Sequence, residues 1–253
     1  MLRLKLLACK ALYRECAYLS FKTANFIDAT YLQQGLHDTP AILYDTLQQE
    51  IDRIDEGTDM YSCKPRFGKD FDAIILGYGL CSNAVIGLGS KKYKIVVPRC
   101  DDCIALFLGS YQKYRDYFDR HSGTYWYNAS WIENGYTPSK ENDEALLREY
   151  TEKYGEDNAT YIMETEHTVK NYKRGAYVHW EEIDFPKYVQ YTRDAAEHFG
   201  WEFDMVSGSS DFLSGLFEGN WDADRFLVVP AGQKIAPDYS GKLIKSEEQE
   251  SER

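Results

Sequence analysis

The chain has 253 residues, enough for one or two domains that bury a core without disulfide or metal staples. Hydrophobic residues make up 43% and aromatic residues 15%, which argues for a folded globular protein and against disorder. With 41 acidic residues against 29 basic ones, a formal charge of −12, the composition argues against a nucleic-acid groove, which needs clustered Lys and Arg.

Leu2 to Ala8 sets Arg3 and Lys5 between leucines and reads as a first strand, without the apolar core of a secretory signal. Lys10 to Ser20 reads as a helix, and Phe26 to Leu32, mixing aromatic and β-branched residues, as a second strand. His37-Asp38-Thr39-Pro40 is a helix start, where Asp38 or Thr39 caps and Pro40 suits the first turn. Ile42, Leu43, Leu47, Ile51 and Ile54 follow at helical spacing, and Gly57 stops the helix. Met60 to Lys69 is a loop containing Pro65 and Gly68.

Phe71 to Leu76 is a nearly continuous apolar run, the pattern of a strand buried on both faces. Gly77-Tyr78-Gly79 breaks it, and a short helix is expected to begin near Cys81. Lys94 to Val97 is another buried strand, closed by Pro98. Asp101-Asp102 then opens a helix through about Arg120, with acidic residues at its positive end.

The later half is more polar. Gly123 to Ile132 is an aromatic strand or structured loop, and Thr137-Pro138-Ser139 caps a helix through about Tyr154. A further helix covers Asn158 to Tyr172, Ala176 to Trp180 is strand, and Phe185 to Phe199 is helix. Trp201 to Val206 is strand, Ser210 to Glu218 helix, and Arg225 to Val229 a late strand closed by Pro230.

This alternation predicts an α/β fold, a mainly parallel sheet flanked by helices in a Rossmann-like three-layer arrangement, with a helical and aromatic insertion in the second half. The simplest organisation is a single domain over residues 1–245 with the insertion at about 133–175, then a charged flexible tail over 246–253. The longest apolar runs fall far short of the ~20 residues that span a bilayer, so no membrane partner and a cytoplasmic location are expected, with reduced cysteines.

The placement of those cysteines is informative. Cys9 directly follows the first strand, Cys81 the third, and Cys100 and Cys103 the fourth. In an open parallel sheet all strand carboxyl ends lie on one rim, where ligands bind. Cys9, Cys81 and Cys103 therefore converge if their strands are parallel neighbours. Cys81 and Cys103 also fall at expected helix starts, where the dipole favours thiolate. Three such thiolates suit zinc or another thiophilic metal, or an iron–sulfur cluster. Buried packing is the other reading of each cysteine, and Cys16 and Cys63 are read that way.

His37, in the turn after the second strand, is a candidate fourth ligand or general base, or a loop cap. Gly77, Tyr78 and Gly79 form a strand-to-helix turn that either cradles an anion or lets backbone approach a metal or substrate. It is neither a P-loop nor GxGxxG. Arg99 either binds a carboxylate or phosphate in the cleft or pairs with Asp101 or Asp102. Of those two aspartates, one is expected to cap the following helix and the other to face the site.

Several of these segments together resemble the DUF1638 family. They are Leu76-Gly77-Tyr78-Gly79-Leu80-Cys81-Ser82-Asn83, Val97-Pro98-Arg99 with Asp101-Asp102-Cys103-Ile104, Leu108-Gly109-Ser110 and Gly123-Thr124-Tyr125. Ala8-Cys9, the His37-Asp38-Thr39-Pro40 turn and Phe226 to Pro230 extend the resemblance to about residue 232. The motif residues it covers are Cys9, His37, Gly77, Gly79, Cys81, Arg99, Asp102 and Cys103. Cys16, Cys63 and Cys100 lie outside the pattern, which favours a site of Cys9, Cys81 and Cys103 over one through Cys100-x-x-Cys103. The family's function is unassigned. The resemblance implies a soluble protein of anaerobic metabolism, in the company of corrinoid methyl-transfer systems.

Three functions follow as expectations. The first is an enzyme with a thiolate-bound metal acting on a small molecule, in one version a methyl transfer, with His37, Arg99 and Asp102 as catalytic residues and a corrinoid methyl-transfer protein as partner. The second is a non-catalytic metal or corrinoid carrier, although the corrinoid motif Asp-x-His-x-x-Gly is absent. The third is metal-free chemistry with Cys81 or Cys103 as nucleophile and His37 as the available base.

Overall fold

The computed structural model describes residues 1–59, 70–165, 168–183 and 185–248. The expected loop over 60–69, with Cys63, lies outside the described residues, as does His167. In chain order the elements are β1 (Arg3–Cys9), α1 (Tyr13–Lys22), β2 (Phe26–Leu32), α2 (Pro40–Glu56), β3 (Ala73–Gly77), β4 (Ile95–Pro98), α3 (Ile104–Leu108) and α4 (Tyr111–Arg120). There follow β5 (Thr124–Tyr127), α5 (Ala129–Asn134), α6 (Lys140–Tyr154), α7 (Glu156–Thr165), β6 (Arg174–His179), α8 (Pro186–Phe199) and β7 (Glu202–Ser207). The chain closes with α9 (Asp211–Glu218), β8 (Phe226–Val229), β9 (Gln233–Asp238) and β10 (Leu243–Glu248). These elements form two compact units, residues 1–114 with 209–253, and residues 115–208. The insertion expected at about 133–175 falls within the second unit.

The first unit is a mixed α/β body around a five-stranded sheet of order β2-β1-β3-β4-β8. β1 pairs in parallel with both β2 and β3, β3 pairs in parallel with β4, and β8 runs antiparallel to β4. Burial on both faces explains the apolar runs of β3 and β4. One face of the sheet sets Leu7, Ile74, Leu76, Ile95 and Val97 against Leu43, Leu47, Ile51 and Ile54 of α2. α9 lies against β3 and contacts α1 and α3. The chain steps from β1 outward to β2 and then across β1 to β3, so the direction of winding reverses between the carboxyl ends of β1 and β3.

Lys5 is 0% exposed in the middle of β1. Its Nζ lies 2.8 Å from Asp28 Oδ1 on β2 and 2.9 Å from Asp59 Oδ2 just beyond α2. The strand alternation is real, but its polar member closes an internal ion cluster.

The helix expected near Cys81 does not form. Residues 81–87 are turns, and Cys81, Ser82 and Asn83 have φ of 45°, 59° and 65°. Three successive non-glycine residues in the left-handed region are held by pairing on either side. Leu80 N–H donates to Cys100 O and Cys81 N–H to Asp101 O, while Gly87 N–H donates to Ile235 O. The single helix expected from Asp101 to Arg120 is instead α3 and α4, parted at Gly109, which has φ 76°. The expected tail over 246–253 is strand as far as Glu248. β9 and β10 form an antiparallel hairpin whose polar residues gave no apolar pattern to read.

The second unit has a parallel sheet of its own, β5-β6-β7, in which Tyr127 and Tyr177 pair and pack on Ala195 of α8. Ser139 caps α6 as expected, accepting from Asn142 N–H at 3.2 Å. Among the described residues no helix is long and apolar enough to cross a membrane.

Candidate functional site

The three strands that carry the candidate thiols are parallel neighbours in the order β1-β3-β4, so their carboxyl ends share one rim at the reversal of winding. Cys9 is the last residue of β1, and its Sγ accepts a 3.4 Å hydrogen bond from Ala11 N–H. Two close approaches draw the other loops onto it. At Gly77, opposite Ala8 in register, a Cβ would lie 2.6 Å from Ala8 Cβ. At Gly79 a Cβ would lie 2.9 Å from the N, Cα and C atoms of Asp102. The 77–81 loop thus lies directly on the backbone of the 100–103 loop, sewn to it by the two hydrogen bonds of Leu80 and Cys81.

The expected anion cradle is therefore not what these amides build. The N–H groups of Leu80 and Cys81 are spent on carbonyls of the neighbouring loop, and the glycines serve close backbone approach. Gly79→Ala is predicted to part the two loops and to cost about 1–3 kcal/mol, the usual penalty of overpacking. An unchanged urea midpoint would contradict this.

Asp102 both caps and faces the site. Its Oδ1 accepts from Ile104 N–H at 2.8 Å, and its Oδ2 accepts from Tyr114 Oη at 2.8 Å. Burial raises its pKa, and the Tyr114 hydrogen bond partly offsets that. Asp101 Oδ2 accepts from Tyr111 Oη at 2.9 Å. Tyr114 escaped the sequence reading because it lies beyond the Gly109 break, and no local pattern ties it to Asp102.

The electrostatics reverse one expectation. Cys81 is not on a helix, and Cys103 precedes a helix of only five residues. No dipole of consequence draws out a thiolate there. Burial, with the charges of Cys9 and Asp102, pushes Cys81 from 9.0 up to about 12. Cys103 is pushed well up by burial, then by Cys81, Asp102, Cys9 and Cys100, and burial raises Cys9 as well. Charge on Cys9 thus bears on both Cys81 and Cys103, and charge on Cys81 on Cys103. No cationic side chain is among the influences that set them.

Tyr78, the residue after β3, belongs to the same group. Its hydroxyl is raised by burial and then by Cys9, Cys81, Cys103 and Cys16. Cys100 is fully buried beside Cys81, and Cys16 is fully buried in α1, in keeping with packing.

His37 follows β2, which is parallel to β1, and Arg99 follows β4, and each is engaged with other groups. His37 sits in a 3-10 turn, Leu36–Asp38, with its side chain 44% exposed and Nε2 3.5 Å from Asp38 Oδ1. Arg99 does not present its charge to a cleft. Its Nε donates to Phe226 O at 3.3 Å, and its Nη1 donates to Lys242 O at 2.7 Å and to Ile244 O. The guanidinium fastens the β9–β10 hairpin to the sheet.

Among the described residues, no group of three or more His, Cys, Asp or Glu side chains stands in a metal-holding arrangement.

A family model described as "Protein of unknown function (DUF1638)" matches residues 31–217. No curated protein and no solved structure matches the chain.

Proposed function

We propose, for a chain that belongs to the DUF1638 family, that it binds a small molecule at the carboxyl rim of its main sheet and works there through the thiols of Cys9, Cys81 and Cys103, which take up zinc or another thiophilic metal. What supports this reading is the placement of the three thiols at or just beyond the carboxyl ends of three adjacent parallel strands, with no cation among the influences on Cys81 and Cys103. The strand order and the reversal of winding beside the site suit a Rossmann-like body that receives its ligand there.

Burial that keeps these thiols neutral disfavours metal-free nucleophilic catalysis, because thiolate is the nucleophile. The two candidate bases are engaged as well. His37 pairs with Asp38, and the Asp102 carboxylate is held by Ile104 and Tyr114. Metal uptake answers both points, since a thiophilic cation displaces the thiol proton and supplies the missing positive charge. The donor type suits such an ion, and the side chains must draw closer to hold it. A metal held by Cys9, Cys81 and Cys103 would supply Lewis acidity to a small molecule bound there, the chemistry a methyl-transferring enzyme uses. The family resemblance adds the cytoplasm of an anaerobe as the setting and a corrinoid methyl-transfer protein as the partner.

Titration of metal-free protein with Co2+ tests this. Thiolate-to-cobalt absorption is expected to saturate at one ion per chain with release of protons, and Cys103→Ser is expected to weaken uptake at least about tenfold. Cys63→Ser should leave uptake unchanged. Less than about 0.2 ion per chain after reconstitution overturns the reading, and full uptake by Cys103→Ser overturns the three-cysteine site.

A further inference from the structure

Tyr78 is 2% exposed, and its hydroxyl makes no hydrogen bond among the described residues. The ring packs in the apolar cluster formed by β1, β3 and α2. Cys9 belongs to the same cluster and Cys81 packs against it, and charge on Cys9, Cys81, Cys103 or Cys16 reaches the hydroxyl. Buried hydroxyls nearly always find an acceptor, and Phe would fill this space without stranding one. A stranded donor inside a candidate binding site is the mark of a partner that arrives with the ligand.

We propose that the Tyr78 hydroxyl is the donor that reads the ligand of the thiol site, and that the atom it reads is an uncharged oxygen, the carbonyl, ether or hydroxyl of a small molecule. The proposal rests on the thiol group being the binding site. Its choice of acceptor comes from the charges nearby. The groups around Tyr78 are thiols, with the Asp102 carboxylate beside Cys81 and Cys103. The Arg99 guanidinium is turned to the carbonyls of Phe226, Lys242 and Ile244. In the metal-free protein a carboxylate or phosphate entering here would shed its water beside the Asp102 carboxylate, and no cation is among the charges that act on Tyr78, Cys81 or Cys103. A neutral oxygen needs one donor, and Tyr78 offers one.

The test uses the full-length, metal-free protein with its tyrosine Cζ atoms labelled with carbon-13, observed by NMR. The Tyr78 signal is assigned by its disappearance in Tyr78→Phe. N-methylacetamide and sodium acetate, similar in size and differing in charge, are titrated separately at constant ionic strength. The Tyr78 signal is expected to shift saturably with N-methylacetamide and to stay in place with acetate. Tyr78→Phe is expected to melt at or above the wild-type temperature, since it loses no hydrogen bond. A response to acetate as strong as that to the amide overturns the proposal, as does no saturable response to either. A melting temperature clearly below wild type also overturns it, by showing that the hydroxyl is already satisfied. No metal enters this experiment. Co2+ uptake with no amide response sinks the Tyr78 role alone, and amide binding without Co2+ uptake sinks the metal reading alone.

Discussion

Replacing Lys5 with Met is expected to remove about 3–5 kcal/mol of folding stability, a large share of the ~5–15 kcal/mol that holds a typical domain. The ammonium of Lys5 stands between Asp28 and Asp59, at 2.8 and 2.9 Å. All three groups are buried, and Lys5 and Asp28 are paired in register across β1 and β2. Removing the central cation leaves two buried carboxylates near each other without their common partner. Desolvation that the three charges now share would then lose the Lys5 charge that offsets it. Methionine keeps most of the stem's volume, so a cavity explains little of the loss.

The matching control replaces all three, Lys5→Met with Asp28→Leu and Asp59→Leu. It is expected to recover much of the loss, because apolar substitutes for a whole buried ion cluster are commonly near neutral. Urea unfolding followed by circular dichroism checks both variants. A loss below about 1 kcal/mol for Lys5→Met would show that water reaches the cluster and screens it.

Lys5 also shows how far the sequence could be read. Its place between leucines marked a strand, and a strand is there. Whether a charged strand residue meets solvent or an internal counter-ion depends on Asp28 and Asp59, which lie 23 and 54 positions away. The same limit divides the candidate site. The place of Cys9, Cys81 and Cys103 on the rim was legible because each lies at or within five residues of a strand's end, and parallel strands end on one rim. Arg99 was not legible, because its acceptors are backbone carbonyls of β8 and of a hairpin whose polar residues carry no apolar signature.

The turn at Cys81–Asn83 shows a related failure. Glycines followed by small polar residues suit a helix start, and the choice of a left-handed path is made by contacts with residues 100, 101 and 235. Tyr78 lay within the glycine motif, yet only the fold reveals that its hydroxyl is stranded.

The left-handed turn decides the second large effect, the reactivity of Cys81. A helix start would make this thiol unusually acidic, whereas burial and the nearby Cys9 and Asp102 raise it to about 12. Against an ordinary thiol at 9.0, its thiolate at pH 8 is scarcer by about a thousandfold, at a factor of ten per unit. A more basic thiolate is intrinsically the better nucleophile, with a Brønsted slope near 0.4–0.5, which returns about twentyfold. Thiolation of the metal-free protein by methyl methanethiosulfonate at pH 8 is therefore expected to be about fiftyfold slower at Cys81 than at an exposed reference cysteine. Peptide mass spectrometry resolves the rate at each cysteine.

The same shift fixes a sign for stability. A thiol whose pKa is higher in the fold than in the unfolded chain is neutral in both states below about pH 8.5, so its favourable surroundings count fully there. As pH rises past that point the unfolded chain ionises first. Stability then falls until the folded Cys81 also ionises near about 12. Cys9 and Cys103, raised by burial as well, act in the same direction. A Cys81→Ser chain should lose less stability than wild type between pH 8.5 and 11, measured by urea unfolding across that range. Thiolation of Cys81 as fast as the reference, or equal alkaline loss in both chains, would mean that the thiol ionises as readily in the fold as in the unfolded chain. The case against metal-free nucleophilic chemistry would then lose its premise, because thiolate is the nucleophile.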